Sequence, residues 1–154
     1  MAHGEITEVL PANSAVVFDL LHDYKRRLEW DTLLQAAYLE DGHEVAGKGV
    51  TSVCVGRPLL GGIALRTVYV TFQPPVLAAV KIVNTPPFFE SWAASIHHED
   101  LSADSSRITY KFHFRSKPRF LRSIMEPAMK IMFSWETRKR LQSLRTFLAR
   151  ENGN

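Results

Sequence analysis

The last third of the chain constrains the fold most, because an aromatic-rich run at residues 108–114 precedes a stretch of about residues 118–152 that contains no glycine. The alternation of the first run is typical of a half-buried strand, and the length and apolar spacing of the second are typical of a helix. A sheet that ends against one long helix leaves room for a cavity between them. Our leading hypothesis is therefore a binding pocket.

Length and composition favour one domain over residues 1–154, since 154 residues with 45% hydrophobic content can bury a sizeable core. The formal charge is only +3, and no Lys/Arg block beside aromatic residues indicates nucleic-acid binding. No signal segment and no apolar stretch of about 20 residues is present. We therefore expect a cytoplasmic location, no nucleic-acid partner and no stable membrane insertion. A single cysteine, Cys54, excludes an internal disulfide and fits a reduced, buried thiol.

The predicted elements describe an α+β fold. Residues 5–10 alternate as a short strand, and Asn13 or Ser14 can cap a helix that follows. A short helical segment covers residues 27–31. Val-, Thr-, Ile- and aromatic-rich runs between turn signals then predict six strands, near 34–41, 48–57, 63–73, 77–84, 89–101 and 106–116. Their short connections favour an antiparallel sheet of about seven strands in the order β-αα-β6-α.

Alternation also predicts which side chains face the core. In the last strand the aromatic positions must point inward, opposite Lys111 and His113. The inner side chains are then Ile108, Tyr110, Phe112 and Phe114 in the last strand, and Trp92, Ala94 and Ile96 in the strand before it. The same argument adds Val68, Val70, Phe72, Val80 and Ile82.

The long C-terminal helix carries two apolar stripes. Pro127 predicts a break or kink just before it. One stripe should grip the sheet and contains Met129, Phe133, Thr137, Leu141, Leu144 and Leu148. The other covers only the first half and contains Ala128, Ile131, Met132 and Trp135. Loops or the first helices could bury the second stripe, or it could form a pocket entrance, a dimer contact or a membrane-surface contact. We predict a homodimer contact through Ile131 and Trp135.

Several segments together resemble the START/Bet v 1-like superfamily, the polyketide cyclase/dehydrase and lipid-transport group. They are residues 11–21, residues 27–31, residues 108–110 and the terminal helix, in this order of elements. The resemblance covers nearly the whole chain and implies a helix-grip fold, in which a curved antiparallel sheet wraps the C-terminal helix around a hydrophobic cavity. Members differ in function, so the fold does not fix the activity. The resemblance also implies a packing role for Trp30.

No catalytic motif stands out. The densest titratable cluster is residues 97–100, which alternate between the two faces of a strand, and His113 of the next strand could approach its outer face. A zinc site needs three or four convergent ligands, so we expect no metal and no cofactor here. Gly61 and Gly62 predict a turn between strands and not a phosphate-binding loop.

Two classes of function fit these patterns, and a protein-interaction module that uses the C-terminal helix is a third. The first is a carrier or sensor of a hydrophobic small molecule, such as a lipid or polyketide, with Tyr110 and His98 as orienting polar groups. The second is a cyclase or dehydratase, which needs convergent titratable groups. We favour the carrier because the predicted inner positions are overwhelmingly apolar. The predicted ligand-binding residues are Trp92, Ile96, His98, Tyr110, Phe112, Phe114, Met129 and Phe133; no catalytic residue is predicted.

Overall fold

A computed structural model describes residues 2–58 and 62–153. Its strands are β1 Ala2–Leu10, β2 Leu34–Leu39, β3 Thr51–Gly56, β4 Ala64–Gln73, β5 Leu77–Ile82, β6 Phe89–Ser102 and β7 Ser105–Ser116. They form one antiparallel sheet in the order β1-β7-β6-β5-β4-β3-β2. The predicted seven-stranded α+β fold is confirmed. Gly61 of the predicted turn lies outside the described residues, whereas Gly62 adopts a φ of 62°.

The helices are α1 Ser14–Leu21, α2 Arg27–Trp30 and α3 Arg122–Asn152, with a short 3-10 turn at Arg119–Leu121 before α3. Asn13 caps α1, because its side-chain oxygen accepts a hydrogen bond from the backbone N–H of Val16 at 3.0 Å. In the part of the chain that the structure describes, no helix is both long and apolar enough to cross a membrane.

The helix α3 passes through Pro127 without the predicted break and begins at Arg122, five residues earlier. Pro127 removes one backbone hydrogen bond, the one that its N–H would give to the carbonyl of Ser123. Both residues are exposed, so water can satisfy that carbonyl. The helix is therefore longer at its N-terminal end than the proline alone indicates.

The inner faces of β6 and β7 agree with the predicted alternation, but β4 requires a correction. Tyr69 pairs with Val80 and Thr71 pairs with the neighbouring Ala79, so β4 bulges between Tyr69 and Thr71. A bulge inserts one residue and shifts the alternation. Phe72 packs inward as predicted, as do Val80 and Ile82 of β5.

Because of the extra residue, the part of β4 before the bulge turns the opposite set of side chains toward the core. Thr67 and Tyr69 are the buried residues there, whereas Val70 is 38% exposed. The predicted inward positions of Val68 and Val70 are therefore wrong.

The sheet closes on α3 through the predicted first stripe. Five of its members are the buried residues of this helix: Phe133, Thr137, Leu141, Leu144 and Leu148. Phe133 joins an aromatic cluster from β6 and β7, and the later leucines pack against β1 and α1. Trp30 is only 2% exposed, so its predicted burial is confirmed. This arrangement is the helix-grip architecture, with the concave side of the sheet turned toward α3.

Candidate binding cavity

A cavity of about 150 Å³ lies between the concave face of the sheet, the α2 segment and the first half of α3. One wall is apolar and contains large side chains of β6, β7 and α3. Met132 lines the cavity and is also 44% exposed. The cavity therefore opens to the surface beside Met132.

Five of the eight predicted ligand-binding residues line this cavity. They are Trp92, Ile96, Tyr110, Phe112 and Phe133. Their convergence follows from alternation, because the first four share the inner face of two neighbouring strands and Phe133 faces them from α3. Their contact with a ligand stays a prediction.

The other three predicted residues lie outside the cavity lining. Phe114 is completely buried within the aromatic cluster, and Met129 packs against the same cluster. His98 is buried near α1, with its ring centroid 5.3 Å from that of Phe18. Neither ring nitrogen of His98 has a hydrogen-bond partner among the described residues. Burial, and secondarily His97, lowers the pKa of His98 to about 4, so His98 is neutral at pH 7.

A chain of hydroxyl and imidazole groups faces the cavity opposite the apolar wall. The Tyr69 hydroxyl lies 2.7 Å from His22 Nδ1 and 2.9 Å from the Tyr24 hydroxyl. Burial is the main cause that lowers the pKa of His22 to about 3, and the charge of Arg27 adds to it. Burial also raises the pKa of Tyr69. All three groups are therefore neutral at pH 7 and can exchange donor and acceptor roles.

This chain of groups keeps free hydrogen-bonding capacity. The Nε2 atom of His22 has no partner within residues 2–58 and 62–153, and the same is true of Nε1 of Trp92. Both residues line the cavity. Both atoms are themselves enclosed by protein, so the polar groups that remain available to a ligand in the cavity are the neighbouring hydroxyls.

Two arginines meet one carboxylate beside these groups. Asp31 is 1% exposed and lies 3.0 Å from Nε of Arg27 and 3.4 Å from Nε of Arg140. Both arginines line the cavity, as does Glu136, whose pKa is raised mainly by burial. Asp31 and Glu136 together match the two guanidinium groups in number, so this side of the cavity is polar without an excess of formal charge. We call Tyr24, Tyr69, His22, Arg27 and Arg140 together the polar end of the cavity.

The sequence analysis missed the polar end, and its expectation of an overwhelmingly apolar interior needs correction. Tyr69 was missed because the bulge reverses the faces of β4. Tyr24 fits an amphipathic helix pattern, and Arg140 lies among polar residues of α3, so neither looks unusual alone. The spacing of Arg27 and Asp31 beside a large aromatic residue was the available signal.

Cys54 also faces the cavity from β3 and is half-buried. Burial raises the pKa of its thiol, so the thiol stays protonated at pH 7. The predicted burial therefore holds only in part, since one side of the residue borders the cavity and not packed core.

The titratable cluster at residues 97–100 does not form a site. Asp100 accepts a hydrogen bond from the backbone N–H of Ser14 at 2.7 Å, at the start of α1. His97 pairs with Thr109 and His113 pairs with Ala93, so the two histidines are not neighbours. Among the described residues, no group of three or more potential metal ligands exists.

The geometry agrees with a comparison to known families. Residues 1–149 match the family model described as polyketide cyclase / dehydrase and lipid transport. This chain belongs to that family. No curated protein matches the chain at a significant level. The predicted superfamily is therefore confirmed, while family membership leaves the individual ligand open.

Several solved structures share this fold over almost the whole length of this chain. The Zhui aromatase/cyclase from Streptomyces sp. R1128 has a TM-score of 0.79 and 12% identity, over 97% of this chain and 94% of that one. A START superfamily protein from Mycobacterium smegmatis has a TM-score of 0.77 and 9% identity, over 96% and 97%. A norcoclaurine synthase point mutant from Thalictrum has a TM-score of 0.73 and 13% identity, over 98% and 96%. At such identities the likeness establishes the fold alone.

Proposed function

We propose that this protein binds a hydrophobic small molecule, such as a lipid, a polyketide or a similar compound, in the cavity between the sheet and α3. The observation that supports this best is the division of one cavity into an apolar wall and a polar end. The wall offers favourable burial of carbon surface. The polar end offers the hydroxyl groups of Tyr24 and Tyr69 to an oxygen atom of the ligand. A ligand with one oxygen-bearing end therefore fits both sides.

The volume of the cavity limits the size of the ligand that it can enclose. A volume of about 150 Å³ is similar to that of an apolar protein cavity that accommodates benzene. One ring or an equivalent portion of the ligand fits inside, with its oxygen toward Tyr69. A longer ligand extends past Met132, which is both part of the lining and 44% exposed.

Phenol is a suitable probe, and isothermal titration calorimetry can measure its binding. We expect one phenol per chain and weaker binding to Tyr69→Phe, which removes only the hydroxyl group. Leu65→Trp fills the cavity from β4 and should abolish binding. Val70→Trp is the matched control, because Val70 lies on the outer face of the same strand and is 38% exposed. Equal phenol affinity in wild type and Leu65→Trp would contradict the proposal.

Native mass spectrometry of freshly purified protein complements this titration. A co-purifying small molecule in wild type that is lost in Leu65→Trp would identify the natural ligand class. Retention of the same molecule by Leu65→Trp would place it elsewhere on the protein.

Enzyme chemistry of the cyclase or dehydratase kind is a second candidate, supported by the contact between His22 and Tyr69. Proton exchange at a bound ketone requires paired titratable groups, and His22 and Tyr69 are joined by a 2.7 Å hydrogen bond. The pKa of about 3 makes His22 a weak base, so any such exchange should be slow. Cyclohexanone in deuterium oxide tests this, because exchange of its α-protons is visible by nuclear magnetic resonance. Exchange that is faster with wild type than with Tyr69→Phe supports the enzyme; equal exchange rates argue against it.

The homodimer contact through Ile131 and Trp135 also stays a prediction. These side chains are 72% and 48% exposed, so loops and the first helices do not bury the second stripe. Sedimentation velocity at increasing protein concentration measures the association. A monomer at high micromolar concentration would contradict a homodimer.

A further inference from the structure

The first half of α3 and the loops beside it expose a set of large apolar side chains next to the cavity opening. We call this set the entrance surface; it contains Phe88, Phe120, Ile124, Ile131, Met132 and Trp135. Phe120 is 80% exposed, and Ile124 and Ile131 are each 72% exposed. Side chains this large and this exposed, grouped on one side of the molecule, mark an interaction site.

The entrance surface is continuous along α3. Ile124, Ile131 and Trp135 are separated by seven and four residues, so they lie on one side of the helix over roughly 16 Å. Phe133 and Thr137, on the opposite side, are buried against the sheet. The loop before β6 lies beside the start of α3, because the backbone N–H of Lys117 donates to the carbonyl of Phe88 at 3.0 Å.

Phe88 is held in an unfavourable backbone conformation. Its φ is 70°, in the left-handed region that bulky side chains rarely adopt. Its ring is 54% exposed, so the strain is not offset by burial of the ring. Strained residues that persist in folded proteins are concentrated at functional sites.

The charge of the segment that carries most of the entrance surface indicates what kind of partner it binds. Residues 115–140 contain eight of the 19 Lys and Arg residues of the chain and two of its 16 Asp and Glu residues. This segment has a formal charge of +6, while the remaining 11 basic and 14 acidic residues give −3. Arg122 and Arg140 pair with Glu90 and Asp31 from outside the segment, so its positive excess after these ion pairs is +4. Lys139 lies with its Nζ 5.2 Å from the centre of the Trp135 ring. Basic and aromatic side chains are thus adjacent on this surface.

We propose that the entrance surface docks reversibly on a lipid bilayer that contains anionic lipids. Exposed aromatic and aliphatic side chains insert at the headgroup boundary, and Lys and Arg residues add electrostatic attraction. A second copy of this chain is less favourable, because a symmetric contact would bring two segments with a positive excess of charge together. Docking places the cavity opening beside Met132 against the lipid, but it does not depend on the cavity having a ligand.

Vesicle co-sedimentation tests the docking with the full chain. We expect binding to vesicles of phosphatidylcholine and phosphatidylserine at a 4:1 ratio, at least tenfold weaker binding to pure phosphatidylcholine, and weakening in high salt. Phe120→Ser with Ile131→Ser should reduce the binding at least tenfold. The matched control, Val45→Ser with Val76→Ser, changes two side chains that are 78% and 55% exposed elsewhere and should bind like wild type.

Tryptophan fluorescence gives a second readout that needs no variant. Trp30 and Trp92 are 2% and 7% exposed, whereas Trp135 is 48% exposed, so a blue shift on adding vesicles reports insertion of Trp135. Absence of both the shift and the co-sedimentation at low salt would overturn the proposal. A concentration-dependent dimer that Ile131→Ser dissociates, together with no vesicle binding, would assign the surface to a second copy instead.

Discussion

Gly4 lies directly opposite Phe112 in the pairing of β1 with β7, and a Cβ atom on Gly4 would lie 2.5 Å from Cζ of the Phe112 ring. The ring of Phe112 therefore lies across β1, where only a glycine leaves room for it. Its centroid is 6.3 Å from that of Phe114 and 6.0 Å from that of Phe133. The ring also lines the cavity, so a shift away from β1 brings it toward that space.

Gly4→Ala should accordingly destabilise the protein by about 1–3 kcal/mol, the usual effect of overpacking a core. It should also weaken phenol binding, because the displaced ring enters the cavity. Urea unfolding and calorimetry measure the two effects. Thr7→Ala, at an exposed position of the same strand, is the control, and equal stabilities of the two variants would refute the close approach.

Trp30→Ala should lower the free energy of unfolding by about 3–5 kcal/mol, because it removes a large buried side chain. The variant also removes the ring beneath Arg27, whose Cζ lies 4.8 Å from the ring centroid. Trp30→Phe keeps an aromatic ring and should lower the free energy of unfolding by a smaller amount. Thermal and urea unfolding curves that match wild type would contradict this packing role.

Asp31→Asn should destabilise the fold by about 3–5 kcal/mol, since it leaves Arg27 and Arg140 without their buried counterion. Glu40→Gln provides the control, because it breaks the more exposed pair with Arg66 and should change stability by at most about 1 kcal/mol. Urea unfolding of both variants measures the difference. A similar loss in both would show that Asp31 is not the central counterion.

Stability should fall as the pH drops from about 6.5 toward 4, because His98 is buried in its neutral form. Its pKa is about 4 in the folded protein, against the ordinary histidine value of 6.5 in the unfolded chain. In this window the unfolded chain binds a proton that the folded chain does not, so the loss from His98 reaches about 3 kcal/mol near pH 4. His22, with a folded pKa of about 3, acts in the same direction.

His98→Phe should therefore reduce the pH dependence without removing it. Urea unfolding at several pH values between 4 and 7.5 measures the slope. His43→Phe, at an exposed position, should keep the wild-type slope. An unchanged slope in His98→Phe would contradict the neutral burial of His98.

The parts of this fold that were predictable are those in which local periodicity determines burial. Alternation in β7 and the three- and four-residue spacing in α3 both predict the buried residues correctly, from Ile108 to Leu148. In β4 the same reasoning failed at Val70, because a bulge is a property of strand pairing and leaves no clear mark in the alternation.

The polar end was harder to predict because its members come from distant segments. Tyr24 and Tyr69 meet only after β4 has taken its place in the sheet, and Arg140 reaches Asp31 from α3. Each residue taken alone has an ordinary local explanation. Their shared chemistry depends on tertiary contacts, which the local patterns of a single sequence do not predict.

The order of the sheet has a consequence for synthesis of the protein. The strand β1 is made first, yet its neighbour is β7, so Leu10 finds Ser106 only after nearly all of the sheet has been translated. The helix α3, which also contacts β1 through the pair of Arg145 and Glu8, emerges later still. Contacts between such distant segments form slowly. A nascent chain therefore has no closed cavity, and any ligand must be acquired after α3 has left the ribosome.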